Sequence, residues 1–150
     1  MWEIERKFIV DKFKLNSGLL QNGVEILQGY VWSDPDKSLR IRIYGDSAFL
    51  TIKLGLTALK RQEFEYEISR SDADALLLQC SAFVEKVRYE IPLGKFMWEV
   101  DVFKGANEGL VLAEIELTDE NETFEFPEWI GEEVTHDARY LNANLIKPRV

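Results

Sequence analysis

Apolar and charged residues alternate in many segments of this chain of 150 residues. In residues 2–10, for example, Glu3 and Glu5 lie on one face of an extended chain, and Ile4 and Phe8 lie on the other. Alternation at period two predicts β-strands, because successive side chains of a strand point to opposite faces. The eight predicted strands are residues 2–10, 28–32, 39–44, 48–54, 61–68, 84–91, 96–103 and 110–117.

Short turn segments separate several of these strands, and such short links favour antiparallel neighbours. Residues 44–47 and 92–95, each with a central glycine, are two examples. Helices are expected to be few, because little of the chain has helical periodicity. The predicted helices are 72–82 with Ser71 as its cap, 136–145 with Thr135 as its cap, and a short one near 120–125. We find no linker, repeat or low-complexity tract, and we predict a single domain over residues 1–150.

Charged residues on the predicted strands form pairs of like sign, two residues apart. The acidic pairs are Glu3/Glu5, Glu63/Glu65, Glu99/Asp101 and Glu114/Glu116, and the basic pairs are Arg40/Arg42 and Lys86/Arg88. Residues two apart on a strand share a face at a spacing of roughly 7 Å, so their charges repel. A bound partner of opposite charge would compensate them. Carboxylate pairs suit a hard divalent cation, and paired Arg and Lys suit a phosphate chain.

An eight-stranded antiparallel β-barrel would gather these charged faces around one lumen, with room for a small ligand. The apolar faces would then point outward, where helices can cover some of them. The competing architecture is a sandwich with its apolar faces inside, which explains any single alternating strand equally well. The repeated pairing of like charges favours the lumen. We therefore predict an α+β, mostly β fold: a closed barrel with a charged lumen and a few helices outside.

The net charge of −9 argues against a nucleic-acid backbone as a partner, since that interaction needs a basic surface. A phosphate substrate remains compatible with this charge if the acids bind divalent cations and the bases are gathered in one place. No apolar run is long enough to cross a bilayer, the N-terminus lacks a signal-peptide layout, and a lone Cys80 excludes an internal disulfide. We expect a cytoplasmic protein with neither nucleic-acid nor membrane partners. A homodimer is left open.

Several short motifs follow one another in a fixed order. They are Glu3-Ile4-Glu5-Arg6-Lys7, Gln28-Gly29-Tyr30, Arg40-Ile41-Arg42, Thr51-Ile52-Lys53, Arg61-Gln62-Glu63-Phe64-Glu65, Lys86-Val87-Arg88-Tyr89, residues 98–103 and residues 113–117. Near the C-terminus come Glu133-Val134-Thr135, then Arg139, Tyr140 and Asn142. This ordered set, which covers nearly the whole chain, resembles the CYTH proteins, the triphosphate tunnel metalloenzymes, whose N-terminal signature is ExExK.

The resemblance implies an antiparallel tunnel that binds a triphosphate and uses Mg²⁺ or Mn²⁺. The candidate phosphate clamp, which the basic residues suggest independently, consists of Lys7, Arg40, Arg42, Lys53 and Arg88, with Arg61 as a weaker member. Glu3, Glu5, Glu114 and Glu116 are the first candidates for metal ligands. Glu63, Glu65, Glu99 and Asp101 would join a second metal, position water or pair with the clamp.

The attacking water needs a base, and two routes stay open. Lys86 with Tyr30 resembles the base pair proposed for short bacterial members, and nearby arginine charges would lower the pKa of Lys86 toward neutrality. The competing route is water on the metal, polarised by a carboxylate.

The expected activity is hydrolysis of a phosphoanhydride bond, most simply that of inorganic tripolyphosphate to pyrophosphate and phosphate. The alternatives are a class IV adenylate cyclase that makes cyclic AMP, a thiamine triphosphatase, and a non-catalytic binder of polyphosphate or nucleotide. Charged contacts for three linked phosphates are recognisable in the motifs, whereas a residue set dedicated to a nucleobase or to thiamine is not. This difference favours tripolyphosphate over ATP.

Overall fold

The computed structural model describes residues 2–55 and 57–145, and most of them lie in one antiparallel sheet. The strands are β1 (Trp2–Val10), β2 (Val24–Ser33), β3 (Lys37–Tyr44), β4 (Ser47–Gly55), β5 (Lys60–Ile68), β6 (Phe83–Leu93), β7 (Phe96–Phe103), β8 (Val111–Leu117) and β9 (Ile130–Glu133). All eight segments predicted from the alternation are strands. The second begins at Val24 instead of residue 28, and β9 was not predicted.

Eight of the strands close into a barrel, as predicted. The ring order is β1-β5-β4-β3-β2-β6-β7-β8, and β8 pairs with β1. The seam between β1 and β5 is short, extending only from the pair Trp2–Gln62 to the pair Ile4–Lys60. Farther along the same edge of β1, β9 replaces β5 and pairs Glu133 with Phe8. The ninth strand therefore covers backbone groups that β5 leaves free.

Two tight hairpins fix the register of β3 with β4 and of β6 with β7. The paired strand ends are separated by Gly45-Asp46 in one and by Gly94-Lys95 in the other. Both glycines have positive φ, 59° and 62°. That conformation matches the right-handed twist of the flanking strands and is easily reached only by glycine. Register matters here because a slip of one residue would turn every charged side chain to the opposite face.

The helices lie close to where they were predicted, but their limits differ. Helix α1 spans Arg70–Leu77, and its cap is Ser69, whose Oγ accepts a hydrogen bond from the Asp72 N–H at 3.1 Å. The predicted cap, Ser71, and the predicted limits, residues 72 and 82, are therefore wrong. The segment near 120–125, predicted as a short helix, contains only a turn followed by irregular chain.

The predicted helix at 136–145 is also wrong in form. A 3₁₀ turn, Ala138–Tyr140, is followed by the short helix α2, Asn142–Leu145. Thr135 caps neither of them, since its Oγ1 instead accepts a hydrogen bond from the Lys7 N–H at 3.0 Å. Two other 3₁₀ turns span Ser17–Leu19 and Gly105–Asn107. Across residues 2–55 and 57–145, no helix has both the length and the apolar character needed to span a membrane.

The apolar faces of the strands point outward and are covered in two places. Beneath the segment that follows β8, Trp98 packs edge to face against Phe8 at 5.6 Å, Phe124 at 5.6 Å and Trp129 at 5.7 Å between ring centroids. Helix α1 covers a second cluster on β3 and β4, into which it inserts two buried side chains, Ala73 and Leu77. The barrel is thus stabilised from its outer side, which leaves the inner side for polar residues.

A third cluster fills one end of the barrel. Val84, Phe103 and Leu112 continue the inward-facing rows of β6, β7 and β8, and they pack against Val134 and Leu145. Residues 134–145, called here the C-terminal segment, thus occupy the lumen at the end where β1 finishes. The remaining length of the lumen is polar.

Candidate active site in the barrel lumen

Strand pairing places the charged rows on the inner face. Residues directly opposite one another on paired strands share a face, so the lumen can be followed from strand to strand. The successive pairs are Glu5–Glu116, Glu114–Glu99, Asp101–Arg88, Gln28–Arg42, Tyr30–Arg40, Thr51–Glu65, Lys53–Glu63 and Glu3–Arg61. Lys7 lies opposite Glu114, and Lys86 lies two residues before Arg88. Every site residue singled out in the sequence therefore lies on this face.

The lumen contains two adjoining cavities, of about 410 and about 310 Å³. The larger lies beside the loops that join β2 to β3 and β4 to β5, and it includes Tyr30 and Arg61. The smaller extends toward the opposite strand ends, where Glu65 and Glu116 line it. Five residues border both cavities: Glu3, Glu5, Arg40, Lys53 and Asn142. These shared residues mark the middle of the polar lumen.

Arg40 and Arg42 project inward from β3 and are almost fully buried. Arg42 Nε donates to Gln28 Oε1 at 2.8 Å, and Arg40 Nη2 donates to Thr51 Oγ1 at 3.2 Å. Burial, assisted by the charge of Arg40, lowers the pKa of Arg42 to about 9, so Arg42 remains cationic at neutral pH. Arg40 Nε is buried without a hydrogen-bond partner among the described residues. Since an unpaired buried donor is costly, this N–H is well suited to donate a hydrogen bond to an anionic ligand.

Lys86 and Arg88 converge from β6 on the carboxylate of Asp101. Arg88 Nε and Nη2 donate to the two Asp101 oxygens at 2.8 and 2.9 Å, and Lys86 Nζ lies 2.6 Å from Oδ2. Burial alone would raise the pKa of Asp101, but Lys86 and Arg88 hold it at about 2. Burial lowers the pKa of Lys86 to about 7; Asp101 opposes this shift and Arg88 adds to it. The lumen therefore holds a lysine able to lose its proton near neutrality beside an ionised aspartate.

Lys86 and Tyr30, which the resemblance pairs as a base, are not in contact. In the described part of the chain, Lys86 Nζ contacts Asp101 and, at 3.5 Å, Asn142 Oδ1, and it lies 5.5 Å from the centroid of the Phe103 ring. Tyr30 lines the larger cavity, and its hydroxyl accepts a hydrogen bond from the Gln28 amide at 3.5 Å. Strand register separates them, since Lys86 pairs with Ile26, four residues before Tyr30 on β2.

Lys7 connects the site to the C-terminal segment. Its Nζ donates to the Tyr140 carbonyl at 2.9 Å and lies 3.8 Å from Glu114 Oε1. Arg61 stands across the short β1–β5 seam from Glu3 and lines the larger cavity near the loops. The two cations therefore lie on different sides of that cavity.

Lys53 is held between carboxylates of two strands. Its Nζ lies 3.0 Å from Glu3 Oε1 and 3.5 Å from Glu63 Oε2. Burial alone would lower the pKa of Lys53, but these acids and Glu5 raise it. Glu65 lies farther toward the smaller cavity and accepts a hydrogen bond from Thr51 at 3.1 Å. Glu63 thus pairs with the clamp, and Glu65 contacts it more loosely, at 3.7 Å from Arg40 Nη2.

Glu5 and Glu114 form the most strongly perturbed acidic pair. Burial raises the pKa of Glu5 well above its usual range, and the charge of Glu114 adds to the effect. Burial would also raise the pKa of Glu114, but Lys7 and Arg88 hold it well below its usual range. The two opposite pKa shifts favour a proton on Glu5 beside an ionised Glu114. A cation bound between these two carboxyl groups would relieve the same repulsion.

The other predicted metal ligands lie around this pair. Burial raises the pKa values of Glu3, Glu99 and Glu116, as expected for carboxylates that lack enough compensating charge. Within residues 2–55 and 57–145, no three acidic, histidine or cysteine side chains are arranged to hold a metal ion. Several carboxylates turn instead to lumen cations, as Asp101 does to Arg88. The donor set nevertheless fits a hard divalent cation, since it consists of crowded carboxylate oxygens.

Three neutral residues were not singled out as site residues in the sequence. Gln28 and Thr51 are fully buried and hold Arg42 and Arg40, respectively. Both belong to the ordered motifs, but neither carries a charge that would mark it. Asn142 reaches the lumen from the C-terminal segment, and only the course of that segment reveals its position.

Residues 1–147 match the model of the CYTH domain family. The chain is similar to an inorganic triphosphatase of Acetivibrio thermocellus, with 50% identity over 147 residues that cover 97% of this chain and 93% of the relative. It is also similar to an inorganic triphosphatase of Nitrosomonas europaea, with 40% identity over 151 residues that cover 97% of each chain.

Solved structures agree with this relationship. A crystal structure of an inorganic triphosphatase superposes with a TM-score of 0.68 at 37% identity, covering 95% of this chain and 93% of that chain. A putative adenylate cyclase of Bacillus halodurans has a TM-score of 0.61 at 19% identity, covering 79% of this chain and 81% of that chain. The second likeness shows a common fold and no more. The family match, the two curated relatives and the charged barrel together place this chain in the CYTH domain family.

Proposed function

We propose that this protein hydrolyses inorganic tripolyphosphate to pyrophosphate and phosphate. The observation that carries the proposal is the lumen, where buried cations and crowded carboxylates surround two adjoining cavities of about 410 and about 310 Å³. Two relatives that align with 97% of the chain, at 50% and 40% identity, are inorganic triphosphatases by name. A substrate made only of linked phosphates uses such a lumen fully, since each phosphate can contact a cation.

The proposed phosphate clamp is Lys7, Arg40, Arg42, Lys53 and Arg88, with Arg61 near the loops. Arg40 borders both cavities and has a buried N–H without a partner in the described chain, so it is the member best placed to contact the substrate centrally. Arg42 and Arg88 line the smaller cavity, and Lys7 lines the larger one. Fixed cations of this kind stabilise the charge that shifts between bridging and terminal oxygens during phosphoryl transfer.

Membership of this family implies a divalent metal cation, and we propose that it is Mg²⁺ or Mn²⁺. Glu5 and Glu114 would hold it, with Glu3 and Glu116 as further candidates, since all four lie on adjacent β1 and β8. Glu99, on the neighbouring β7, lies directly opposite Glu114. When bound, such a cation supplies Lewis acidity that withdraws charge from phosphate oxygens. Loss of the proton from Glu5 would accompany its binding.

We propose Lys86 as the group that takes the proton from the attacking water. Its pKa of about 7 allows the neutral amine to form near physiological pH. Asp101 holds the amine in place at 2.6 Å, and Arg88 contacts both Asp101 oxygens. Because Arg88 keeps Asp101 ionised, Asp101 fixes the position of Lys86 without itself becoming the proton acceptor. Tyr30 is retained in this proposal as a wall of the substrate cavity.

The test is a product analysis with three substrates. The protein is incubated with tripolyphosphate, ATP or thiamine triphosphate, each with Mg²⁺, with Mn²⁺ or with excess EDTA, and phosphate, pyrophosphate and cyclic AMP are measured. We expect tripolyphosphate to be cleaved fastest, with equal amounts of phosphate and pyrophosphate, and activity to disappear in EDTA. Cyclic AMP as the main product, with tripolyphosphate left intact, would identify a cyclase. Full activity in EDTA would contradict the metal assignment alone.

A further inference from the structure

The C-terminal segment is fixed inside the barrel by contacts at several points. Lys7 Nζ donates to the Tyr140 carbonyl at 2.9 Å, and Asn107 Nδ2 donates to the Leu145 carbonyl at 2.7 Å. The Leu145 side chain is buried in the cluster that fills the end of the barrel. The helix that begins at Asn142 is therefore held at both ends, and a side chain projecting from its first residue has a defined position in the lumen.

Asn142 lies where the two cavities meet. Of the five described residues that border both cavities, it alone has a side chain that cannot ionise. A carboxylate at this point would repel phosphate, and another cation would pair with the nearby acids. A neutral amide avoids both effects and can still donate hydrogen bonds to an anion.

The orientation of the Asn142 amide follows from its neighbour. An ammonium group can only donate hydrogen bonds, so the atom that faces Lys86 Nζ at 3.5 Å is the carbonyl oxygen of the amide. The amide nitrogen therefore points away from Lys86. Within the described residues it donates to no protein acceptor, and it is not enclosed as a buried unpaired donor. Its two N–H groups remain available to a ligand in the lumen.

We propose that Asn142 links the proposed base to the substrate: its carbonyl oxygen positions Lys86 beside Asp101, and its amide N–H groups donate to a phosphate oxygen of the bound tripolyphosphate. This inference rests on the proposed function for its substrate. It adds a positioning and binding residue contributed by the C-terminal segment rather than by a barrel strand. It also gives that segment a role in the site, beyond filling the end of the barrel.

The experiment compares Asn142→Ala and Asn142→Asp with the control Asn121→Ala, which changes an exposed asparagine in the turn after β8 that lines neither cavity. With tripolyphosphate as substrate, we expect Asn142→Ala to lower kcat and to raise KM, each by about tenfold, as loss of hydrogen bonds to charged groups would. Asn142→Asp should raise KM further, because its carboxylate cannot donate and repels phosphate. Asn121→Ala should match the wild type.

Thermal unfolding midpoints separate a site effect from damage to packing. The proposal requires the Asn142 variants to unfold within a few degrees of the wild type. It is overturned if Asn142→Ala retains wild-type kcat and KM, if Asn142→Asp does not raise KM, or if Asn121→Ala is equally impaired. If the wild type leaves tripolyphosphate intact, the proposed function fails, and calorimetric binding of tripolyphosphate then decides: an unchanged Kd in Asn142→Asp also overturns the role of Asn142.

Discussion

The two faces of strand β7 show how differently the outside and the inside of this barrel are built. On the outer face, Trp98 and Val100 are completely buried among apolar neighbours. On the inner face, Glu99 and Asp101 stand one residue away from them, among other charges. The outer face buries apolar area, which stabilises the fold. The inner face confines charges that would be better solvated in water, which destabilises it.

The conflict on the inner face is specific. Glu5 lies directly opposite Glu116, and Glu99 lies directly opposite Glu114, although like charges in such positions repel. The chain tolerates these pairs because the outer face supplies enough stability. These pairs of like charge indicate that the lumen suits a charged ligand and a cation, which would supply the charge that the protein lacks there. Substitutions on the two faces should therefore have opposite consequences for stability and activity.

Truncation of Trp98 on the outer face should change the protein most, through a loss of stability. Trp98→Ala should lower the free energy of unfolding by about 3–5 kcal/mol, because it leaves a cavity among Phe8, Phe124 and Trp129. Denaturant unfolding measures the loss. Trp98→Phe is the matched control: it retains an aromatic ring and removes an indole N–H that has no partner among the described residues. A Trp98→Ala variant as stable as Trp98→Phe would show that the aromatic packing on the outer face contributes little to the free energy of unfolding.

On the inner face, the effect should fall on activity. Arg40→Ala should lower kcat/KM for tripolyphosphate by about a hundredfold through lost charge stabilisation. Folding should be little affected, since the carboxylate nearest to Arg40, Glu65, is part-exposed and keeps its hydrogen bond from Thr51. Arg88→Ala should lose activity as well. It should also lose stability, because it removes two hydrogen bonds from the buried Asp101.

The matched control is Arg70→Ala, which removes an exposed arginine that pairs with Asp74 on α1. Steady-state kinetics and thermal unfolding are measured on each variant. Near-wild-type kinetics for Arg40→Ala, with Arg70→Ala as reference, would show that Arg40 contributes neither to substrate binding nor to catalysis.

Most substitutions of buried residues destabilise a protein, but Glu5→Gln should stabilise this one. We expect it to raise the unfolding temperature of the metal-free protein at neutral pH. Burial raises the pKa of Glu5 well above 4.5, so folding favours its protonated form. The stability associated with that proton is present below the unfolded pKa and is lost as the pH rises through the folded pKa. Glutamine keeps a donor for Glu114 without ionising. The gain should therefore be seen at pH 7.5 in EDTA and should vanish below about pH 4, where both forms are neutral.

Activity supplies the second half of that test. Glu5→Gln removes a proposed metal ligand, so the more stable variant should be nearly inactive with Mg²⁺ or Mn²⁺. Differential scanning fluorimetry and phosphate release follow the two properties in parallel. A variant that is less stable than the wild type in EDTA would mean that the inner face carries no excess of negative charge at this point.

The alternation predicted the strands, and the repeated pairs of like charge, together with the family resemblance, favoured a barrel with a charged lumen over a sandwich. The alternation around Glu3 and Glu5 determines which face each side chain takes, and the pairing of like charges indicates that this face needs a ligand. Helix limits were less predictable for a physical reason. Ser69 and Ser71 each precede an aspartate by three residues, so both are acceptable caps. In the structure Ser69 is the cap, and the helix that it begins packs the Ala73 side chain against the barrel. This packing is a tertiary contact that the local sequence does not reveal.

The contribution of the C-terminal segment could not be predicted, because it depends on contacts between residues far apart in the chain. Asn142 reaches the lumen only because Val134 and Leu145 bury their side chains against strands β6 to β8. Nothing in the local sequence distinguishes it from an exposed asparagine such as Asn144. The neighbours of Lys86 were missed for the same reason. Strand register places it beside Asp101, and the segment brings Asn142 to it.

The smallest expected effect concerns Thr135, which connects the two faces of β1. Its hydroxyl accepts a hydrogen bond from the N–H of Lys7, an inner residue, at 3.0 Å. It donates at 2.6 Å to Glu133, which forms a salt bridge with Arg6 on the outer side. Thr135→Val keeps the shape but removes both bonds, so we expect a loss of about 1 kcal/mol in unfolding free energy.

Because Lys7 belongs to the proposed clamp, Thr135→Val should also raise KM for tripolyphosphate by a small factor, with kcat almost unchanged. Thr135→Ser restores the hydroxyl and should return both values toward the wild type, which a loss of apolar packing alone would not do. Denaturant unfolding and steady-state kinetics provide the two readouts. If Thr135→Val loses stability without any change in KM, the hydrogen bonds of Thr135 stabilise the fold but do not position Lys7 for the substrate. The outer and inner faces of β1 would then act independently at this point.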